Sequence, residues 1–480
     1  MAATINERYE AARVACARAG QEHLLRFWSE LDDARRHDLL SDIERIDFAP
    51  LPGLIDGFVR RRPPHAELGP LAPAPHISLA DVRADTDEIR AARAAGEALL
   101  AQGRVAALVV AGGQGTRLGY DGPKGCLPVS PVARKPLFQL FAEQILATQR
   151  RAGRPLRWYV MTSPGNDAAT RAFFAERAHF GLAPDQVVFF QQGVMPAFAP
   201  DGRILLDQPH RVALSPDGHG GTLLALAASG ALVDMAARGI EYISYFQVDN
   251  PLVLCLDPLF LGLHAQRGSD ISCKFVAKAD DHERVGNIVL AGGKVHVIEY
   301  SDLPESLATA RNPDGSRRFD AGSVAIHVLS RRFVERLTAD RSRFALPWHR
   351  ADKKVAYVDL ASGRRVEPAS PNAVKLESFI FDALPLAEMP PVLLEVDRAE
   401  EFSPVKNATG VDSLATAQRD MIRRAARWLE RAGIRVPRDA AGEPVVPIEI
   451  SPLRALRPGD LSASDADLRG LRFDAPVLLA

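Results

Sequence analysis

Residues 105–129 read VAALVVAGGQGTRLGYDGPKGCLPV. The run Val105–Val110 is short and continuously apolar, as expected of a strand buried on both faces of a parallel sheet. Six glycines then fall within the fourteen positions 112–125, with Lys124 directly behind Pro123. A glycine loop after a buried strand offers free backbone N–H groups to an anion such as phosphate. The spacing excludes two common phosphate loops. Gly113, Gly115 and Gly119 are spaced GxGxxxG, one residue too long for the dinucleotide fingerprint. Lys124 is followed by Gly125, not by the Ser or Thr of a Walker A loop. A strand, a glycine turn and two cations, Arg117 and Lys124, remain as a candidate polyphosphate cradle.

Outward from this stretch, strand and helix patterns alternate. LFQLFAEQILATQRRAG predicts a helix closed by Gly153, LRWYVMTS a strand, and DAATRAFFAERAHFG a helix closed by Gly181. QVVFFQQ predicts a strand, TLLALAASGALVDMAARG a helix ending at Gly239, and YISYFQV a strand. The expected fold is therefore α/β, a mostly parallel sheet with helices on both faces. Ligands of such sheets bind beyond the carboxyl ends of the strands. After residue 270 the pattern becomes more β-like (ISCKFVAK, NIVLAGGKVHVIEY, FDAGSVAIHVL), suggesting strands added to the same body. Three blocks are expected. Residues 1–100 form a helical N-terminal region (helices over 1–48 and 85–102, a Pro/Gly-rich linker over 49–76). Residues 101–408 form the catalytic body, and 409–480 a helix with a small β element.

Composition narrows the function classes. The 480 residues carry 59 Lys+Arg against 60 Asp+Glu, so no basic field supports nucleic-acid binding. No apolar run approaches the roughly 18 residues of a membrane span, and MAATINERYE lacks a signal-peptide profile. Cys16, Cys126, Cys255 and Cys273 show no CxxC spacing. A cytoplasmic protein with no nucleic-acid or membrane partner is the expectation.

GGQGTRLGYDGPKG resembles the signature of the eukaryotic-type UDP-sugar pyrophosphorylases, most closely the UDP-N-acetylhexosamine type. FFQQGVMPAF, SPDGHGG, FQVDNPL, VIEYSDLPE, FDAGSVAIH, NAVKLESFIFD and EFSPVKNA follow in the family's order. The resemblance spans about residues 105–408. It implies a GT-A-like nucleotide-diphospho-sugar transferase fold and the reaction UTP plus sugar 1-phosphate to UDP-sugar plus diphosphate. It also implies Mg²⁺ (or Mn²⁺) as cofactor. Such chemistry needs positioning and charge neutralisation more than acid–base groups.

The resemblance assigns roles. Arg117, Lys124 and Lys406 would face the phosphates. Gly112, Gly113, Gly115 and Gly218 would lie along the nucleotide, and Gln192 would read the uracil edge with an amide that both donates and accepts. Asp249, at the end of an apolar strand, would hold the metal. Asn250, Gly286, Glu299, Ser323, Phe379 and Phe381 would form the sugar side. Three positions depart from the family. His219, Asp320 and Ser323 stand where relatives have asparagine. N-acetylglucosamine 1-phosphate is the favoured substrate. Glucose, galactose and N-acetylgalactosamine 1-phosphates stay open, as do a UTP–glucose-1-phosphate uridylyltransferase and a broad-specificity enzyme.

Overall fold

The computed structural model describes residues 3–62, 69–340, 344 and 346–480. The chain forms two compact units that interleave along the sequence. The first comprises Met1–Glu67, Gln192–Ala225 and Arg343–Asp382. The second comprises Leu68–Gln191, Leu226–Ser342 and Ala383–Ala480. This differs from three consecutive blocks: helix Asp87–Ala101 belongs to the second unit, apart from the N-terminal helices.

The second unit is built on a ten-stranded sheet. Val105–Val110 lies at its centre, parallel to Arg157–Thr162 on one side and Tyr242–Gln247 on the other; Val187–Gln191 continues the parallel set. Val105–Val109 are buried because neighbours flank them in the sheet and helices cover its faces. Helix Leu137–Ala152 ends at Gly153, whose φ of 69° no side-chain-bearing residue adopts readily. Its Phe138 meets Trp158 and Phe174 edge-on. The β-rich region adds antiparallel strands. Ala321–Ser330 pairs with Tyr242–Gln247, and Gly286–Ala291 and Ile271–Ala277 pair with Ala321–Ser330. Helix Leu414–Arg431 packs with the parallel pair Ile448–Ile450 and Val477–Leu479 around Trp428, Leu429 and Leu468.

Three local expectations change. Residues 222–239 form two helices, Thr222–Ala228 and Ala231–Ala237, bent by 65°. Gly230, at φ 78°, breaks the run. Helix Asp167–Glu176 stops early, with Ala178, His179 and Phe180 at positive φ before Gly181. The expected linker over 49–76 is partly structured. Leu51–Leu54 and the π-turn Ile55–Val59 bury Leu54, Ile55 and Val59, and Leu71–Pro73 becomes an edge strand on Gly286–Ala291. Its residues 63–68 lie outside the described residues. Among the described residues no single helix is long and apolar enough to cross a membrane. The bent pair over 219–237 combines such length and apolarity, and its Leu223, Leu226, Leu232 and Met235 are buried within the protein.

In the first unit, helices Ile5–Arg18 and Asp33–Glu44 pack with short strands around Leu24, Leu39, Leu40, Phe198, Leu206 and Leu376. The buried Asp42 carboxylate accepts from Val212 N and Arg211.

Two histidines lie in the core of the second unit. His264 bonds Ser272 Oγ and Ser330 Oγ at 2.8 and 3.0 Å, and burial pushes its pKa down to about 3. His327, on the central sheet, is pushed down to about 4 for the same reason. Below its ordinary value near 6.5 the unfolded chain takes up a proton that folded His327 refuses. The stability it confers above that pH is therefore lost as pH falls, at about 1.4 kcal/mol per unit. His327→Phe removes this dependence. The variant should gain on the parent by that slope between pH 6.5 and 4, measured by denaturant unfolding; a constant difference contradicts the assignment.

Candidate active site

The glycine loop is held from both ends. Gly115 N donates to Gly122 O at 2.8 Å, and Lys124 N to Gly113 O at 3.1 Å. Asn166, buried after the Arg157–Thr162 strand, donates from Nδ2 to Ala111 O (2.9 Å) and Gly113 O (3.3 Å) and accepts from Ser163 N. Sequence reasoning missed Asn166, whose only signal is its place beyond a parallel strand. Among the described residues, the N–H groups of Gly112 and Gly113 donate to no protein acceptor. They are free to bind an anion. Gly125 is required for packing: a Cβ there would stand 2.2 Å from the Phe138 ring. That contact seats the short 3-10 turn Lys124–Cys126.

Lys124 Nζ lies 3.7 Å from Asp249 Oδ2, both side chains mostly buried. Asp249 follows strand Tyr242–Gln247, and Val248 N donates to Val110 O, so the ends of the two central strands stay together. Val405 N donates to Asp249 O at 2.8 Å, which brings the segment carrying Lys406 to the same place. The Lys406 ammonium sits over the Phe402 ring. The structure thus gathers Lys124, Asp249 and the Lys406 segment. Arg117 is exposed on the outer turn Thr116–Leu118, and among the described residues no ion pair joins it to Asp249.

Asn250, expected on the sugar side, is bonded to the backbone around it. Its Nδ2 donates to Glu401 O at 2.7 Å, and its Oδ1 accepts from Leu252 N and Ser403 N. With both ends of its amide engaged by backbone, the side chain braces the 401–406 segment against the Asp249 turn. Glu401 in turn bonds the fully buried Lys274 at 2.6 Å, which also pairs with Asp257 at 2.7 Å. Buried ion groups of this kind hold geometry when every member is partnered.

Three of the expected sugar residues converge. Gly286 pairs with Ser323 across adjacent strands, and a Cβ on Gly286 would lie 3.9 Å from Glu299 Oε1. The antiparallel ladder between Ala321–Ser330 and Tyr242–Gln247 pairs Ser330 with Tyr242 and His327 with Tyr245. Its direction puts Ser323 at the sheet edge where Asp249 lies. The Asp320 carboxylate is engaged by Lys278 N and Arg317.

Gln192, Gly218, Phe379 and Phe381 belong to the first unit and form a set there. Gln192 is buried. Gly218 has φ 89°, and a Cβ would stand 2.3 Å from Ser378 O, so only glycine fits. Gly220 N donates to Ser378 O at 2.8 Å. The His219 ring stacks on Phe379 at 5.1 Å, lies edge-on to Phe381, and accepts at Nδ1 from Ile380 N. His219 therefore fastens the glycine turn to the aromatic segment. Phe381 is a buried packing residue, whereas Phe379 is half-buried between His219 and His349.

The sequence profile described as UTP--glucose-1-phosphate uridylyltransferase matches residues 76–436. The chain is 37% identical to human UDP-N-acetylhexosamine pyrophosphorylase-like protein 1, over 97% of this chain and 96% of the relative. It is 35% identical to the UDP-N-acetylglucosamine pyrophosphorylase of Saccharomyces cerevisiae, over 86% and 90%. Among solved structures, the UDP-N-acetylglucosamine pyrophosphorylase of Trypanosoma brucei, in complex with an inhibitor, superposes with a TM-score of 0.85 at 26% identity, covering 100% and 99% of the two chains. With its glycine loop, strand-end carboxylate and following lysine in these positions, the chain belongs to the UTP--glucose-1-phosphate uridylyltransferase family.

Proposed function

We propose that this chain is a cytoplasmic uridylyltransferase that joins UTP to a hexosamine 1-phosphate, N-acetylglucosamine 1-phosphate foremost, and releases diphosphate. The observation that carries the reading is the meeting of Lys124, Asp249 and the Lys406 segment at the carboxyl edge of the sheet. The full-length similarity to UDP-N-acetylglucosamine pyrophosphorylases supports it.

In the reaction, a sugar phosphate oxygen attacks the α-phosphorus of UTP and the bond to the diphosphate breaks. No proton transfer is required of the protein. The N–H groups of Gly112 and Gly113 receive phosphate oxygens, Lys124 neutralises charge at the reacting phosphorus, and Lys406 offers a second cation. The Gln192 amide carries the donor and acceptor that an imide edge needs.

A single, mostly buried carboxylate fits a hard cation carried in with the substrate, because Mg²⁺ commonly keeps waters and phosphate oxygens around one or two protein carboxylates. Among the described residues no cluster of three or more His, Cys, Asp or Glu side chains competes for the ion. Asp249 would hold the Mg²⁺, which when bound draws charge from the phosphate oxygens.

Ser323, Gly286 and Glu299 supply the sugar contacts. A serine reaches less far than an amide, so Ser323→Asn adds a donor and an acceptor beside Gly286. The variant should raise the preference for N-acetylglucosamine 1-phosphate over glucose 1-phosphate by about tenfold in kcat/KM, the value of roughly one well-placed hydrogen bond. Diphosphate release with UTP, Mg²⁺ and a panel of hexose and N-acetylhexosamine 1-phosphates tests the whole reading. No release with any sugar overturns it, and release with glucose 1-phosphate alone replaces the substrate.

A further inference from the structure

Asp217 is a buried carboxyl group that the reaction described above does not use. It sits at the head of the SPDGHGG turn in the first unit. Among the described residues its Oδ1 has no hydrogen-bond partner. Two glycine backbones enclose it: a Cβ on Gly193 would stand 2.3 Å from Oδ2, and a Cβ on Gly221 would stand 2.2 Å from Oδ1. Asp217 N donates to Gly193 O, and Asp217 O accepts from Ser378 N and Ser378 Oγ. The residue is therefore wedged between the segment carrying Gln192 and the turn carrying Gly218. Both glycines are needed to admit the carboxyl group, and the fit leaves no room for solvent at Oδ1.

We propose that Asp217 is the positioning residue of the Gln192–Gly218 pair in the first unit: its neutral carboxyl holds Gln192 and Gly218 at the spacing that receives the nucleobase, and its ionisation releases them. The inference rests on the reading of Gln192 and Gly218 as nucleotide contacts. Its physical reason is desolvation. Burial disfavours the ionised form: Oδ1 has no donor among the described residues, the one counteracting contact on the group is a hydrogen bond from its own backbone N–H, and water reaches Oδ1 by parting the two backbones that enclose it. Burial raises the Asp217 pKa to about 7. No charged neighbour contributes to that shift.

The titratable groups on the surrounding elements are His219, Glu377, His349 and Lys375. His219, on the same turn, faces Phe379 and Ile380 N. Glu377, on the strand leading to Ser378, approaches Gly218 with its Cβ. His349, on the strand paired with Glu377, bonds Asp382. Lys375 lies on the strand of Glu377, opposite Ala351. The Gln192–Pro196 segment and the 222–225 turn of helix bring no ionisable side chain.

The experiment measures UTP affinity by calorimetry and kcat and KM for both substrates from pH 6 to 9. It uses the full chain, Asp217→Asn and Asp217→Ala, with thermal melts for each. In the parent, UTP affinity should fall above neutral pH, approaching tenfold per unit, while KM for the sugar phosphate changes much less. Asp217→Asn keeps the shape without the ionisation. It should bind UTP within about threefold of the parent at pH 6.5 and lose the alkaline decline. Asp217→Ala should bind UTP more weakly at every pH. A parent and Asp217→Asn with superimposable UTP pH profiles overturn the proposal while leaving the enzymatic reading intact. A parent that binds no UTP at any pH overturns both.

Discussion

Replacing Lys124 by alanine is expected to lower kcat by about 10²–10³-fold, the usual cost of removing one preorganised group aimed at developing charge. UTP binding should weaken far less. The triphosphate keeps the Gly112 and Gly113 N–H groups in the ground state, while the loss falls on the charge that grows as diphosphate departs. Folding should survive. Lys124 retains 17% of its side-chain exposure and Asp249 13%, so the freed carboxylate can still be reached by water or a cation. The loop itself is held by backbone bonds and by Asn166, none of which involves the Lys124 ammonium. Steady-state kinetics in both directions, with a thermal melt beside them, check the result. Full kcat in a folded Lys124→Ala protein refutes the role. A collapse of stability shows that the cation serves the fold instead.

The second large effect is structural. Helices Asp87–Ala101 and Pro258–Gln266 cross with their backbones in contact. A Cβ on Gly262 would stand 1.7 Å from Ala92 O, and one on Gly96 would stand 1.8 Å from Pro258 O. Gly262→Ala therefore cannot be absorbed by turning a side chain, because the obstacle is main chain on the facing helix. Overpacking a tight core costs roughly 1–3 kcal/mol, occasionally more. This site should lie at or above the top of that range. The helices would part over Leu99, Leu259 and Leu263, which are buried against the sheet. Gly53→Ala is the control. Gly53 is helical, and a Cβ added there would have nothing within 4 Å. The same methyl there should be neutral or stabilise by up to about 1 kcal/mol. Denaturant unfolding of the two variants reads the contrast, and equal effects would refute the packing argument.

Much of this protein was legible without coordinates, and for one reason: the signals were local. The apolar run Val105–Val110 reads as a buried strand because six consecutive apolar residues need cover on both faces. Gly153 marks a helix end because its φ is set by its own missing Cβ. The glycine spacing excluded the dinucleotide and Walker loops by counting alone. The ordered motifs added the chemistry, and the strand-end position of Asp249 followed from the alternation. Misreadings arose where a pattern could be interrupted cheaply. Ser229–Gly230 breaks a run whose apolar periodicity is otherwise helical, and apolar residues within a proline-rich stretch turned 49–76 from a linker into partly packed chain.

What tertiary structure alone decided is every relation between residues distant in sequence. Asn250, which the resemblance assigns to the sugar side, has its amide engaged by Glu401 and Ser403, some 150 positions away. Arg117 and Lys124 looked equivalent on one loop, and among the described residues it is Lys124 that pairs with the carboxylate while Arg117 is exposed. Asn166, the Lys274 ion group, the Gly96–Gly262 crossing and the cradle of Asp217 have no signature in spacing, because each depends on which backbone folds back against it. The sequence by itself determined the strands, the loop and the class of chemistry, since these depend on neighbours along the chain. The fold decided which of the candidate side chains meet, since burial and approach distance are properties of packed surfaces.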